Sequence, residues 1–152
     1  MSEPPNKLNK SKRRLPHWEL AGSSYFITFR LIAGEMAPAE RQVVLDHIDS
    51  GDPKFYRLWA AVVMPDHVHL LLRLNPGVAL PRVMKGIKGV SAKRVNDLRQ
   101  THGSLWQDES YDRIMRDTDE GMEKAEYLLA NPVRAGLVEA GGSYPFLISR
   151  LG

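Results

Sequence analysis

Residues 55–74 read FYRLWAAVVMPDHVHLLLRL, and this stretch decides the fold. Apolar, aromatic and β-branched residues fill both halves, and Pro65 and Asp66 interrupt them. An interruption of this length is too short for anything but a tight turn. The sequence therefore predicts two antiparallel strands, 55–64 and 67–74, joined as a hairpin.

His67 and His69 begin the second of these strands. Residues two apart in a strand point to the same face, about 6.6 Å apart along it, so the two imidazoles project side by side. Val68, Leu70 and Leu72 point to the opposite face and contribute to the core. Two imidazoles in this relation can share one divalent cation, although the H-x-H spacing is also common among unrelated histidines. The chain has no Cys, so further ligands would be carboxylate, amide or water, and Mg²⁺ or Mn²⁺ fits at least as well as zinc.

The rest of the chain alternates strand and helix patterns. We predict strands at 24–32 and 111–116 and helices at 38–49, 80–98 and 119–130, the last ended by Asn131-Pro132. This order matches an α+β, ferredoxin-like sandwich in which helices pack on one face of an antiparallel sheet. Gly86 and Gly89 inside the long helix predict a kink or a close approach by another backbone. Residues 133–152 contain several glycines, which predicts an irregular tail.

Positive charge is concentrated in two segments, although the formal charge of the whole chain is only +3. Residues 1–14 carry +4 and residues 82–99 carry +5, so the remainder is acidic at −6. Such segments are typical of a polyanion-binding surface, and equally of a solubilising tail and a solvated helix face.

The composition excludes several classes of protein. Without cysteine, thiolate metal sites and cysteine nucleophiles are ruled out. The apolar stretches are far shorter than the roughly 20 residues of a membrane helix, and the polar, basic start is unlike a signal peptide. We therefore expect a cytoplasmic protein of one domain.

Tyr127 lies in the predicted helix 119–130, on the side opposite its apolar stripe. The members of that stripe are Met122, Ala125, Leu128 and Leu129. A projection at 100° per residue places Tyr127 about 170° from the centre of the stripe, with Asn131 following at i+4 on the same side. A displayed phenol beside a metal site suits phosphodiester chemistry, because an ester to tyrosine conserves bond energy and allows a cut strand to be rejoined.

Four parts of the chain carry family motifs. They are RLPHW with YFITFR (14–18 and 25–30), MPDHVHLLL (64–72), GSLWQDESYDR (103–113) and YLLANPVRAGL (127–137). Together they resemble the insertion sequence 200-like family of single-tyrosine His-hydrophobic-His (HUH) transposases, and within it the REP-associated tyrosine transposases.

This resemblance implies an HUH endonuclease domain at 15–138, a basic N-terminal arm at 1–14 and a C-terminal tail at 139–152. It implies a transposase that cleaves and rejoins single-stranded, hairpin-forming DNA through a 5′-phosphotyrosine intermediate. Tyr127 would be the nucleophile, and His67, His69 and Asn131 would bind Mg²⁺ or Mn²⁺. On the family interpretation the basic segments offer DNA contacts through Arg13, Arg14, Lys85, Lys88, Lys93 and Arg94. Relatives are mostly monomers, so a monomer is favoured over a dimer for this chain, and the activity is expected at the nucleoid of a bacterial-type cell.

A second interpretation stays open at this point. The same fold could bind single-stranded or hairpin DNA without cutting it, as a domesticated relative would. An RNA-recognition domain is disfavoured because the aromatic strand motif of that class is missing. A two-histidine phosphoesterase is disfavoured because the sequence has no His-x-Thr or His-x-Ser motif. Tyr111 is a second tyrosine within a family motif, and Asp66 is expected to shape the hairpin turn.

Overall fold

The computed structural model describes residues 23–151, which form a five-stranded antiparallel sheet covered by helices. The elements follow in chain order as β1 (Ser24–Arg30), α1 (Pro38–Ser50), β2 (Tyr56–Val63), β3 (His67–Leu74), α2 (Leu80–Arg99), β4 (Tyr111–Ile114), α3 (Thr118–Arg134) and β5 (Leu147–Ser149). Across the sheet the strands are ordered β4-β1-β3-β2-β5. The predicted hairpin is β2–β3, and the α+β, ferredoxin-like class is confirmed.

The helices are divided between the two faces of the sheet, which corrects the expectation that all of them pack on one face. α1 and α2 cover the face that carries Ile27, Phe29 and Leu70. α3 covers the other face, where Phe26 and Leu71 lie. Strands β1 and β3 have apolar residues at both sets of alternating positions, so each face has an apolar surface that must be covered.

α3 is longer than predicted at its C-terminal end. Its start is fixed by Asp117, whose side chain accepts a hydrogen bond from the Glu120 backbone N–H at 2.8 Å. The predicted stop at Asn131-Pro132 is wrong, because the helix continues to Arg134. A proline removes one amide donor from a helix, and here that loss falls in the last turn, where Asn131 and Pro132 are both buried. Packing therefore overrides the usual helix-breaking effect of proline.

α2 runs without interruption through both of its internal glycines. A Cβ atom added at Gly86 or Gly89 would meet no atom within 4 Å. The expected close approach by another backbone is therefore not present at either position.

The C-terminal segment is part of the domain and not an irregular tail. β5 pairs with β2, and the Tyr144 hydroxyl donates a hydrogen bond to the Val63 carbonyl at 2.6 Å. Phe146 is buried in the core on the α1–α2 face. The folded unit consequently extends past the expected boundary at residue 138. The expected N-terminal arm at 1–14 lies outside the described residues. Among residues 23–151, no helix has the length and apolar character needed to cross a bilayer.

Candidate active site

The two histidines of β3 lie side by side, as predicted. Their ring centroids are 4.8 Å apart, closer than the spacing of the two residues along the strand. His69 Nδ1 lies 2.7 Å from Thr28 Oγ1 on the adjacent strand β1. His67 Nδ1 lies 2.7 Å from Asp66 Oδ1, so the turn residue also orients a ring. Each imidazole therefore uses Nδ1 for a neighbouring oxygen, which makes Nε2 the nitrogen available to a ligand.

The environment of His69 keeps its imidazole neutral. Burial, together with the positive charges that His67, Arg30 and Arg134 can carry, lowers the pKa of His69 to about 3. His69 is only 3% exposed, and its Nε2 is buried without a hydrogen-bond partner in the described structure. A buried polar atom left unpaired costs about 1–3 kcal/mol. A metal ion would satisfy this atom, so the chemistry of the pair fits a divalent cation.

Among the described residues, further ligands for such a cation would be groups other than acidic side chains or histidines. Within residues 23–151 no group of three or more His, Asp or Glu residues could hold a metal ion. Asn131 lies one turn beyond Tyr127 on α3 and is 8% exposed. Its amide oxygen is of the ligand type that Mg²⁺ and Mn²⁺ accept, as are water and phosphate oxygens.

Tyr127 is outside the buried stripe of α3, as predicted, but its ring does not point directly away from the core, because it meets the buried rings of Phe26 and His69 on the sheet. Ala125 and Leu128 are buried beneath the helix, while Tyr127 is 46% exposed. Its ring centroid lies 5.5 Å from that of His69, so α3 brings the tyrosine to the histidine pair. The Arg134 guanidinium lies 4.3 Å from the centroid of the tyrosine ring, and its Nη2 donates to the Tyr127 carbonyl at 2.9 Å. These contacts restrict the orientation of the phenol.

A groove of about 760 Å³ contains this arrangement. Phe26 is almost fully buried beneath it and contacts the rings of His69, Tyr127 and Tyr111 at centroid distances of 5.5, 6.2 and 6.4 Å. The residues that line the groove are Phe26, Thr28, Phe29, Arg30, His69, Gln107, Glu109, Ser110, Tyr111, Lys124 and Tyr127. The groove therefore combines an exposed phenol, the edge of the His69 imidazole and two cations, Arg30 and Lys124. Neither His67 nor Asn131 is part of its lining.

A family model described as "Transposase IS200 like" matches residues 31–120, which is more than half of the chain. The chain belongs to the IS200-like transposase family. Over 33 residues it is 58% identical to the ISDra2 transposase TnpA of Deinococcus radiodurans, and this segment is 22% of the chain and 24% of that relative. The chain thus spans about a quarter of the curated relative that it matches.

A solved structure of a REP-associated tyrosine transposase bound to a REP hairpin has the same fold. The TM-score is 0.66 at 20% sequence identity, and the alignment covers 97% of this chain and 82% of that one. At this level of identity the similarity establishes the fold.

In this member of the IS200-like family the basic helix lies across the sheet from the groove. α2 packs on the α1 face, whereas His69 and Tyr127 are on the α3 face. Lys85 and Arg94 are exposed, and Lys93 forms an exposed ion pair with Asp97 at 3.4 Å. The expected DNA contacts of α2 are therefore not part of the Tyr127 groove. Arg13 and Arg14 lie outside the described residues.

Lys88 makes contacts within the protein that its charge alone did not predict. Its Nζ donates to the carbonyls of Gln107 and Asp108 at 2.7 and 3.1 Å and to Ser110 Oγ at 3.1 Å. Burial lowers the pKa of Lys88. Because Gln107 and Ser110 line the groove, Lys88 connects α2 to the wall of the site through this loop.

Several residues of the groove region were not selected from the sequence, among them Phe26, Thr28, Lys124 and Arg134. Lys124 and Arg134 lie three residues before and seven after Tyr127, so the helical projection that displayed Tyr127 could also have placed them beside it. Thr28 faces His69 and Phe26 faces Leu71 in the β1–β3 register. That register cannot be read from either strand alone.

Proposed function

We propose that this chain cleaves and rejoins single-stranded DNA with Tyr127 as the nucleophile. The observation that carries the proposal is the pairing of an exposed tyrosine ring with His69, 5.5 Å away, whose Nε2 is unpartnered among the described residues. Membership of the IS200-like family supports a reaction on DNA. The solved relative with a bound REP hairpin supports a hairpin-forming substrate.

The reaction exchanges one phosphoester for another. Tyr127 Oη would attack the phosphorus of the scissile phosphate, the P–O3′ bond would break and a P–Oη bond would form. The phenol loses its proton and the departing 3′ oxygen gains one, which leaves a 3′-hydroxyl strand and a 5′-phosphotyrosine. Attack by a 3′-hydroxyl on the phosphotyrosine would reverse these bonds, rejoin DNA and release the phenol.

The ligands proposed for Mg²⁺ or Mn²⁺ are His67, His69 and Asn131. When bound, the cation would polarise a phosphate oxygen and offset the negative charge that develops there. The protein supplies the neutral imidazole of His69 and the orientation of both rings. In the groove, Arg30 and Lys124 are suited to contact the DNA backbone. On the other face, Lys85, Lys93 and Arg94 would contact flanking DNA, as would Arg13 and Arg14 of the N-terminal arm.

The decisive experiment looks for a covalent protein–DNA adduct. The full chain is incubated with labelled single-stranded hairpin oligonucleotides and Mg²⁺ or Mn²⁺, and adducts that resist denaturant are counted. We expect Tyr127→Phe to abolish the adduct while the dissociation constant for the oligonucleotide stays close to the parent value. Tyr111→Phe removes the other phenol of the groove and should retain the adduct. Tyr25→Phe is the matched control, because Tyr25 packs on the opposite face of the sheet.

Two results would contradict the proposal. An adduct of undiminished yield in the Tyr127→Phe protein would show that another group attacks the phosphate. Binding of hairpin DNA without an adduct, under all metal conditions, would favour the non-catalytic DNA-binding interpretation of the same fold.

A further inference from the structure

We propose that Tyr111 forms a nucleobase-stacking site next to the candidate nucleophile. This inference rests on the proposed reaction with single-stranded DNA, since it assigns a second role within the same groove. Tyr111 is 52% exposed, unlike the large aromatic residues of the core, and its ring lines the groove with Tyr127. The proposed cleavage chemistry leaves Tyr111 without a function.

The register of the sheet fixes the position of Tyr111 relative to the histidines. Tyr111 on β4 is the direct partner of Thr28 on β1, and Thr28 is the direct partner of His69 on β3. Directly paired residues of neighbouring strands point to the same face. Tyr111, Thr28 and His69 therefore form one row across three strands, which brings Tyr111 to the α3 face although β4 is an edge strand.

Phe26 supports both tyrosines from below. The Tyr111 and Tyr127 rings each meet Phe26 edge to face, with interplanar angles of 70° and 77°. Phe26 is 3% exposed, so its own ring is closed to a ligand. The exposed surface of the Tyr111 ring remains open, and Phe26 restricts its motion. A held, exposed ring is the arrangement on which unpaired bases stack in proteins that bind single strands.

The distribution of charge in the groove orients the strand. Lys124 and Arg30 lie on α3 and β1, whereas Glu109 lies just before Tyr111. A phosphate is attracted toward the two cations and repelled by the Glu109 carboxylate, but an uncharged base is not repelled. The backbone therefore follows Lys124 and Arg30, and a base next to the scissile phosphate turns toward Tyr111.

The test combines loss of the ring with loss of single bases. Binding is measured by fluorescence anisotropy with the full-length Tyr127→Phe chain, so that no strand is consumed. The probes are hairpin oligonucleotides with a single-stranded flank in which an abasic site replaces each flanking base in turn. We expect Tyr111→Ala to raise the dissociation constant about 5- to 150-fold for intact DNA, and Tyr111→Phe to restore it. When the abasic site is at one particular flank position, the dissociation constants of the chains with and without Tyr111→Ala should become nearly equal.

A purely structural role for Tyr111 predicts a different pattern. If Tyr111 had only a structural role, Tyr111→Ala would weaken binding by the same factor at every abasic position. That result would overturn the proposal. Ile114→Ala is the matched control, because Ile114 lies on the same strand but points to the opposite face. If the effect of Tyr111→Ala is the same at every flank position while the chain with Tyr127 forms the adduct, the Tyr111 site alone is refuted. If the effect depends on the flank position but the chain with Tyr127 forms no adduct, the Tyr127 chemistry alone is refuted.

Discussion

Single hydrogen bonds decide which nitrogen each histidine presents. Thr28 Oγ1 is hydrogen-bonded to His69 Nδ1, and Asp66 Oδ1 is hydrogen-bonded to His67 Nδ1. When Nδ1 carries the proton and donates it to the neighbouring oxygen, Nε2 has its lone pair free for a cation. The positions of these two oxygens are therefore as important to the site as the imidazoles themselves.

We predict that Thr28→Val weakens metal binding. The substitution keeps the shape of the side chain but removes the oxygen that fixes the His69 ring, and loss of such a partner lowers metal affinity by about 10- to 100-fold. Titration of the protein with Mn²⁺ in a calorimeter measures the change. Thr101→Val, which alters an exposed threonine bonded to Asn96, is the control. Equal Mn²⁺ affinity in the Thr28→Val and parent proteins would disprove the ligand role of His69 Nε2.

For single residues, the sequence predicts those features of the site that depend on one strand or one helix alone. The shared face of His67 and His69 follows from the period of a strand, and the exposure of Tyr127 follows from the period of a helix. The distance between Tyr127 and His69 depends on how α3 lies on the sheet. The partners Thr28 and Phe26 depend on strand register, which is a property of two strands together.

Among the elements, α1 and α2 are tied by a partly buried ion pair. Arg99 Nε and Nη2 donate to the two oxygens of Glu40 at 2.9 and 3.0 Å. The Glu40 carboxylate also accepts a hydrogen bond from the Ala37 backbone N–H, at the start of α1. The hydrogen bonds from Arg99 lower the pKa of Glu40 below its ordinary value of 4.5, although burial opposes them. This contact therefore makes the stability of the helix pair depend on pH.

We predict that Glu40→Gln destabilises the protein at neutral pH and not at low pH. A carboxyl whose pKa is lowered by folding contributes stability above its unfolded pKa and loses it as the pH falls through the folded pKa. At pH 7 the free energy of unfolding should drop by about 1.5–3 kcal/mol, the range for a hydrogen bond to a charged group. Urea denaturation at pH 7 and at a pH low enough to protonate the Glu40 carboxyl measures the difference in stability.

The control for this prediction is Glu35→Gln, because the Glu35 side chain is exposed. It should change the stability little at either pH. A difference between the Glu40→Gln and parent proteins that is equally large at both pH values would show that the charge of Glu40 is not the cause.

The sequence predicts the types of the elements better than their ends. The β2–β3 hairpin, β1 and the helices α1 and α2 follow from clear periodicity and turn residues. The stop at Pro132 was mispredicted because burial of the last turn outweighs the loss of one amide donor. β5 was missed because a strand of three residues between Pro145 and Arg150 has too few alternating positions to give a pattern.

For the whole molecule, the C-terminal segment completes both the sheet and the core. β5 extends the sheet beyond β2, and Phe146 packs into the core beneath α1, with the Arg41 guanidinium 4.8 Å from its ring centroid. Leu151 packs into the core on the α3 face. A domain that ended at residue 138 would leave the edge of β2 and parts of both cores open to water.

We predict that Phe146→Ala lowers the free energy of unfolding by about 3–5 kcal/mol. Removing a buried aromatic ring loses its transfer energy and leaves a cavity. Thermal and urea denaturation measure the loss, and Leu137→Ala, at a residue 43% exposed, is the control with a small expected effect. Similar stabilities for the two variants would mean that the segment after residue 138 contributes little to the fold.

If the proposed DNA contacts of the groove and of the basic helix are both made, their placement on opposite faces of one sheet favours a flexible substrate. A nucleic acid that reaches both surfaces has to pass from one face of the sheet to the other. Duplex DNA has a persistence length of about 50 nm and resists such a turn, whereas an unpaired strand can change direction at each nucleotide. On the proposed function, an unpaired strand would therefore reach both surfaces more easily than a duplex, whatever its base sequence.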